Sequence, residues 1–464
     1  MFKRILIANR GEIAMRVLRC CQEMGIETVL ACSAEDMDSL PAQFATKRVC
    51  IGPSAAAKSY LNQEAVVQAA MSFQCEAIHP GYGFLSENAD FASLCEEHGI
   101  LFIGPSPEMI RMMGDKQSAR ALMKKHGVPV VPGSDGILKN WKEAAEIARK
   151  VGYPVLLKAT AGGGGRGMRT AYDASEIQGA YESAQAEALS AFGDGSLYLE
   201  KLILHPHHIE VQILGDSRGH IIHLGERDCS LQRRNQKLLE EAPARILKPR
   251  QREALHRAAL RAAKAVRYRS AGTVEFVLDR EGNFYFIEMN TRIQVEHCIT
   301  EMVTGIDLMR EQIRIAAGKE LSFKQSEIRI RGHAIECRIN AEDPEAGFTP
   351  SPGDISFLHL PGGFGVRCEN ALHTGGRVSP YYDSMIAKVI VHAPGRMKAI
   401  KKMRAALEEM TVEGIKTNLN FLYLIMFSPG FITGSYNTSF LKKHGDLILK
   451  WDKESRRKIK KDEE

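Results

Sequence analysis

The stretch Phe286-Ile-Glu-Met-Asn-Thr-Arg-Ile-Gln-Val-Glu-His297 restricts this chain more than any other. Glu288, Asn290, Arg292, Gln294 and Glu296 hold the even positions, and Ile287, Met289, Thr291, Ile293 and Val295 hold the odd ones. Successive side chains of an extended segment point to opposite faces. The spacing therefore predicts a strand with five groups able to hold metal, anion or proton on one face and an apolar backing on the other. Alternation alone favours a plain half-buried strand with one wet face. A second carboxylate separates the two readings. Gly272-Thr-Val-Glu-Phe-Val-Leu-Asp279 also reads as a strand, and Arg280-Glu-Gly-Asn283 as a turn with Gly282 at its tip. With Glu281 and Gly282 as the two turn residues, a hairpin sets Glu275 opposite Glu288; a bulge would shift that register. Directly opposed residues sit roughly 5 Å apart at Cβ, and like charges there repel. A divalent cation between them reverses the sign. Glu275, Glu288 and the amide oxygen of Asn290 make an all-oxygen set, which suits Mg²⁺ or Mn²⁺ rather than Zn²⁺.

The 464 residues, 44% hydrophobic and 25% charged, have room for two or three domains of a soluble globular protein. A net charge of +6 suits anionic substrates and does not call for nucleic acid. Part of that charge lies in Lys450 to Glu464, which reads as a solvated tail. Ten scattered cysteines form no CxxC pair, so reduced thiols in a cytoplasmic protein are expected rather than a zinc site or disulfide framework. The first strand begins almost at once, leaving no room for a signal peptide. No apolar run approaches the ~20 residues of a membrane span.

Taken in order, Arg4 to Ala8, Glu12 to Met24 and Glu27 to Cys32 read as strand, helix and strand, a Rossmann-like βαβ opening without G-x-G-x-x-G. A first domain is expected over residues 1–115, with Tyr82 and Gly83 in a loop, His79 to Asn88, at a strand's end. A connecting helix is expected over 116–131. Its Lys116 fits a phosphate ligand or a surface lysine, and local sequence does not decide. An inserted lid is expected over 132–203. Here the strand Pro154 to Ala159 runs into Thr160-Ala-Gly-Gly-Gly-Gly-Arg-Gly-Met168 before a strand resumes. Successive glycines let backbone N–H groups turn inward around phosphate oxygens. No Gly-Lys-Ser/Thr follows, so this is not a Walker A loop. Lys158 stands at the strand end, placed to reach a phosphate. Tyr198 to Ile203 reads as an edge segment offering backbone groups to an adenine, with Glu200 meeting its amino group. Residues 204–447 are expected to form the remaining α+β body, and 448–464 the charged tail. Within it, His205 to Ile213 fits no zinc spacing, and Arg227 to Lys237 is dense in cations, which reads as a solvated face or an anion site. His333 to Ala341 alternates again, with Arg338 sharing parity with Glu336 and Asn340.

A lysine before a glycine flap, two metal-spaced glutamates and a polar run ending in Arg292-Ile-Gln-Val-Glu296 together resemble the ATP-grasp superfamily, an α/β fold. Longer strings are closer still. Ala8-Asn-Arg-Gly-Glu-Ile-Ala14, His79-Pro-Gly-Tyr-Gly-Phe-Leu-Ser-Glu-Asn88, Gly162-Gly-Gly-Gly-Arg-Gly-Met168, Arg227-Asp-Cys-Ser-Leu-Gln232, Glu288 to His297 and Glu336-Cys-Arg-Ile-Asn-Ala-Glu-Asp-Pro344 resemble biotin carboxylase. The likeness runs from residue 4 to about 445, in family order.

That resemblance implies ATP-dependent carboxylation of biotin held on a biotin carboxyl carrier protein, by way of carboxyphosphate. By matching positions it implies Lys116, Lys158, Gly164, Gly165, Glu200, Lys201, Leu202 and Ile203 as the ATP set, with His208, Gln232 and Asn235 nearby. Glu275, Glu288 and Asn290 match the ligands of two Mg²⁺ or Mn²⁺ ions. Lys237, Arg292, Gln294 and Val295 match the bicarbonate cradle, Glu296 the base, and Arg338 the cation that faces the biotin enolate, with Tyr82 beside the ring. Family dimers pack through positions matching Arg19, Glu23, Phe364 and Arg367. The family often has histidine at Asn235, which bears on ATP affinity rather than on the reaction. No Ala-Met-Lys-Met attachment string occurs, and the chain stops at Glu464, so the resemblance implies a separate subunit serving the carrier and carboxyltransferase subunits in trans. The rival reading is another ATP-grasp ligase joining a carboxylate to an amine. It would share the flap and metal glutamates without needing Arg338 or the Tyr82 loop. A regulatory or scaffold subunit would be expected to have lost Glu288, Arg292 or Glu296, and none is missing.

Overall fold

The first five strands are short, apolar and parallel. They are β1 (Arg4–Ile7), β2 (Glu27–Ser33), β3 (Lys47–Gly52), β4 (Ala77–His79) and β5 (Leu101–Phe102), in the order β3-β2-β1-β4-β5. Near-continuous apolar runs such as Ile5-Leu6-Ile7 suit strands covered by helices on both faces. The strand order reverses between β1 and β4, and ligands of such sheets bind outside the strand ends at that point. The loop after β4 is pinned there. Asn9 Nδ2 donates to Pro80 O (2.6 Å) and Tyr82 O (2.8 Å). Gly81 has φ +63°, and a Cβ on it would sit 2.9 Å from that amide nitrogen. Only glycine combines this backbone with so close an approach.

A second sheet, antiparallel and three-stranded, runs β7-β6-β8, with β6 (Val155–Ala159), β7 (Met168–Ala171) and β8 (Leu197–Lys201). Helices Trp141–Val151 and Ile177–Phe192 cover one face through Ala144, Ala148, Ala184 and Ala188 against Leu157 and Leu199. The third sheet is the backbone of the site. Its first six strands are β13-β12-β9-β10-β11-β14, followed by Met385–Ala393 and Val366–Asn370, all antiparallel. Here β9 is His207–Gly215, β10 Ile221–Arg233, β11 Gln236–Ala242, β12 Ser270–Leu278, β13 Phe284–Asn290 and β14 His333–Asn340. Helix Pro249–Ala265 covers one half of it through Leu255, Ala258 and Ala262, and helix Arg396–Glu409 packs on the other. The computed structural model describes residues 1–160 and 167–462. Gly164 and Gly165 of the expected flap lie outside the described residues, as does Arg166. Among the described residues no helix is long and apolar enough to cross a membrane.

Several expectations are corrected. Glu275 does face Glu288, but through two compensating departures. The loop is one residue longer than a two-residue turn, with Asp279 N donating to Asn283 O across Arg280-Glu281-Gly282. A bulge at Ile287 then restores the register. The strand also ends at Asn290, and residues 291–296 form an irregular loop ahead of helix His297–Thr304. Strand parity therefore does not carry Arg292, Gln294 and Glu296 to one face; the burial of Ile293 in the neighbouring core does. β8 stops at Lys201, leaving Leu202 and Ile203 in the following loop. Arg227 lies on no solvated face: it is fully buried. The expected solvated tail begins inside helix Phe440–Asp462, where Ile448 is core and Asp452 buried beneath Asn420.

Candidate active site

Two adjoining cavities meet at Glu288. The inner one, about 270 Å³, lies between the three-stranded sheet and the tip of the β12–β13 hairpin. Lys116, Lys158, Glu200, Lys201, Leu202 and Ile203 all line it. Lys116 opens helix Lys116–Lys125 behind the N-cap Asp115, whose carboxylate accepts from Gln117 N. Lys158 Nζ meets Glu200 at 2.5 Å, and Arg120 Nε stands 3.7 Å from the same carboxylate. Glu200 is thus engaged by cations rather than left free for an amino group. Lys201 turns its ammonium to Gly152 O and Tyr153 O, at 2.9 and 2.6 Å. The amides of Lys201 and Leu202 go to Pro132 O and Pro154 O. The Ile203 amide is left without a partner among the described residues.

The outer cavity, about 620 Å³, is lined by His208, Gln232, Asn235, Lys237, Glu275, Glu288, Asn290, Arg292, Gln294, Val295, Glu296 and Arg338. The residues quoted from separate motifs therefore converge. Lys237 is the hub: Nζ lies 2.6 Å from Glu210, 3.1 Å from Glu275 and 2.6 Å from Glu296. Glu275 also receives His208 Nε2 at 2.8 Å, Asn290 Nδ2 at 2.9 Å and Gln294 Nε2 at 2.8 Å. Gln232 Nε2 approaches His208 Nδ1 at 2.7 Å. Burial opposes charge on Glu275, but Lys237 and His208 outweigh it and hold its carboxyl well below the ordinary range. Opposite it, burial and then the Glu275 charge push Glu288 up.

That asymmetry is a test of metal fit. Glu288 faces a like charge with no ion-pair cation within 4 Å among the described residues, at the junction of the two cavities. Asn290 gives its nitrogen to Glu275 and its oxygen to Arg292 Nη2 at 3.1 Å. Oxygen donors around an uncompensated carboxylate are what a hard divalent cation takes, and the residues present fit one.

Glu296 is held by Lys237 and by Arg338 Nη2 at 2.8 Å. Burial pushes its carboxyl up, but Lys237, Arg338 and the nearby Arg227 hold it well below the usual range. In this state it is a weak base. Arg292 donates to Glu87 (2.8 Å) as well as to Asn290. Tyr82 does not line the cavity; its hydroxyl donates to Glu12, and Lys388 Nζ lies 6.0 Å from its ring centroid.

Sequence reading assigned Arg227, Glu87, Glu240 and Lys388 no individual role in the site, and Glu210 only that of a polar contact to a nucleotide. Arg227 does not line the cavity but supports Glu210, donating to it and to Gln212 (2.7 Å) and Thr300 (2.9 Å). Lys388 is fully buried and donates to Val295 O at 2.7 Å, 3.1 Å from Glu12. A lone lysine inside the apolar run Met385 to Ala393 was the available signal. Of the positions matching the family's dimer contacts, Arg19 pairs with Glu369, Glu23 with Arg310 and Arg367 with Glu301, while Phe364 is 98% exposed.

Comparison with known proteins gives the same picture along the whole chain. Residues 1–110 match the family model "Biotin carboxylase, N-terminal domain", 115–324 "Carbamoyl-phosphate synthase L chain, ATP binding domain", and 336–443 "Biotin carboxylase C-terminal domain". A biotin carboxylase of Nostoc sp. is 55% identical over 442 residues, 95% of this chain and 99% of the relative. The 2-oxoglutarate carboxylase small subunit of Hydrogenobacter thermophilus is 54% identical, over 96% of this chain and 94% of that one. Among solved structures, a biotin carboxylase–βγ-ATP complex from Campylobacter jejuni superposes with TM-score 0.91 at 50% identity, covering 96% of this chain and 99% of that one. The biotin carboxylase domain dimer of the H. thermophilus enzyme, in complex with MgADP, ADP and bicarbonate, gives TM-score 0.90 at 53% identity, covering 97% and 99%.

Proposed function

Because this chain belongs to the biotin carboxylase family, we propose that it uses ATP and bicarbonate to carboxylate biotin on a biotin carboxyl carrier protein. This is the first half-reaction of a biotin-dependent carboxylase. The observation that carries the reading is Glu296, clamped between Lys237 and Arg338 and joined through Glu275 and Glu288 to the lysine-lined inner cavity. The fold is the α/β ATP-grasp fold of the relatives.

ATP lies in the inner cavity with its phosphates toward Lys116, Lys158 and Glu288. Glu275, Glu288 and Asn290 would hold Mg²⁺ or Mn²⁺, which would supply neutralisation of phosphate charge, most of what phosphoryl transfer needs. Bicarbonate takes the place the carboxylates now hold beside Lys237, Arg292 and Gln294. Its proton passes to Glu296 Oε, and a carboxylate in hydrogen-bond reach is the group that step requires. Its oxygen attacks the γ-phosphorus, and ADP leaves. Carboxyphosphate then gives CO₂ and phosphate, and the phosphate takes the ureido proton of biotin. Arg338 faces the resulting enolate with a charge that arginine does not lose, and the ureido nitrogen attacks CO₂ to give carboxybiotin. A ligase joining a carboxylate to an amine would have no use for that cation. Dimer contacts through Arg19, Glu23, Phe364 and Arg367 fit the exposure of Phe364. A cytoplasmic location and carboxyltransferase partners are part of the same proposal, the latter as the family implies.

The test is ADP release by the purified protein with Mg²⁺, with and without bicarbonate. Release should require bicarbonate and rise with free biotin. Equal release in bicarbonate-depleted buffer with biotin present overturns the reading.

A further inference from the structure

Strands β11 and β14 set Glu240 directly opposite Glu336. Both side chains are fully buried, and none of their four carboxylate oxygens has a hydrogen-bond partner. Directly opposed like charges in a ladder repel, and a buried charge without donors is strongly disfavoured. Two carboxylates so placed do not both ionise.

The cation nearest this pair is Arg338. Its Nη2 lies 2.5 Å from Glu240 Oε1 and 2.8 Å from Glu296 Oε2. The hydrogen bond is directed at Glu296, and the buried Nε has no acceptor. The other groups facing the pair are Lys237 on β11, Glu296 in the loop before helix His297–Thr304, Lys388 on strand Met385–Ala393, Cys298 on that helix, Cys337 on β14 and Cys229 on β10. Burial raises all three thiols, which stay neutral. Lys388 is occupied by Glu12 and Val295 O, and Lys237 by its three carboxylates. Arg338 therefore has donors left over where Glu240 and Glu336 have acceptors left over.

We propose that Glu240 and Glu336 are a proton-sharing pair that positions Arg338. One proton bridges the two carboxyls, the remaining negative charge holds the guanidinium between Glu240 and Glu296, and the enolate of biotin then draws it forward. Both glutamates are positioning residues: they act through Arg338 and touch no substrate. The idea rests on the reading of Arg338 as the biotin-facing cation. Burial pushes the Glu240 carboxyl up to about 7 and Glu336 well above the ordinary carboxylate range, so the pair loses a proton as pH rises through neutrality. Arg338 gains its anchor in the same range.

The test compares wild type with Glu240→Gln and Glu336→Gln, as the ratio of biotin-dependent to biotin-independent ADP release between about pH 6 and 9. Effects on the first half-reaction cancel in that ratio. In wild type the ratio should rise with pH, with an inflection near neutrality. Glu240→Gln should lower the ratio at pH 8 by about fivefold or more and abolish the inflection. Glu336→Gln presents an amide donor to Glu240, favours its ionised form, and should move the inflection down by about one pH unit. A merely structural role would not move the two variants in these different ways. If Glu240→Gln does not fold, Glu336→Gln decides alone. An inflection unmoved in every folded variant overturns the pair and leaves the carboxylase reading intact. Wild type that releases no ADP with bicarbonate overturns that reading instead.

Discussion

Replacing Lys237 by methionine keeps the chain's length and removes one charge that three carboxylates share. Its Nζ lies within 3.1 Å of Glu210, Glu275 and Glu296. Removing one partner of a buried pair costs about 3–5 kcal/mol when the other is left uncompensated. Here each carboxylate keeps a second partner: Arg227 for Glu210, His208 for Glu275 and Arg338 for Glu296. The lower end, about 3 kcal/mol, is therefore expected. Its pH dependence has a definite sign. Lys237 helps hold Glu275 and Glu296 below the ordinary carboxylate range. A depressed native pKa stabilises above the unfolded value and stops doing so as pH falls through the native one. The destabilisation of Lys237→Met should then be largest near pH 7.5 and shrink below about pH 4. Catalysis loses a fixed cation at the bicarbonate cradle, worth about 10²–10³ in rate. Bicarbonate-dependent ADP release at varied bicarbonate, with thermal unfolding at the two pH values, measures both effects. A variant with wild-type KM for bicarbonate and a rate within about fivefold would refute the assignment of Lys237 to the cradle.

Arg338→Ala should lower biotin-dependent ADP release at least about tenfold more than biotin-independent release; equal losses in the two assays would argue that Arg338 serves the first half-reaction instead. Glu288→Gln removes the like charge opposite Glu275 and with it the demand for a cation, so the Mn²⁺ concentration for half-maximal ADP release should rise about tenfold or more; manganese titration of the variant checks this, and an unchanged midpoint counts against the metal set. Arg396→Met tests a site remote from the chemistry. Glu241 is buried, and its hydrogen bond from His333 and the charge of Arg396 hold it at about 2, so its contribution is present above the ordinary carboxylate pKa and lost as pH falls from there toward 2. The variant should unfold at higher pH than wild type in an acid titration followed by circular dichroism, and coincident titrations would refute the linkage.

What the sequence disclosed here follows from which interactions are local. The βαβ opening rests on short apolar runs and was legible, as was the pairing of Glu275 with Glu288. That pairing was right although its turn was not: the three-residue loop and the bulge at Ile287 cancel, and pattern reading sees neither. The single wet face from Glu288 to Glu296 was legible only as far as Asn290. Beyond it the residues converge because the chain breaks around Ile293, not because a strand alternates. The charge partners were the hardest to see. Glu240 and Glu241 are adjacent in sequence and both fully buried, yet Glu241 meets His333 and Arg396 while Glu240 meets Arg338. The pairing of β11 with β14, almost 100 residues away, and the packing of helix Arg396–Glu409 decide that.

The resting site is thus an array of ion pairs that substrates must take over one by one. Lys237, Arg292 and Arg338 each hold carboxylates now, and in the proposed reaction each is a cation that bicarbonate or the enolate would need. Burial makes every such exchange costly unless a new anion arrives as the old one is released. Glu296 is the clearest case. While Lys237 and Arg338 hold it, its carboxyl stays well below the ordinary range; in the proposed reaction, bicarbonate engaging Lys237 would bind and, by the same displacement, raise the basicity of Glu296. Binding and activation of the base are one event. ATP alone, which brings no anion to Lys237, would leave Glu296 weak and the nucleophile absent, and this is the physical reason to expect ATP cleavage to wait for bicarbonate.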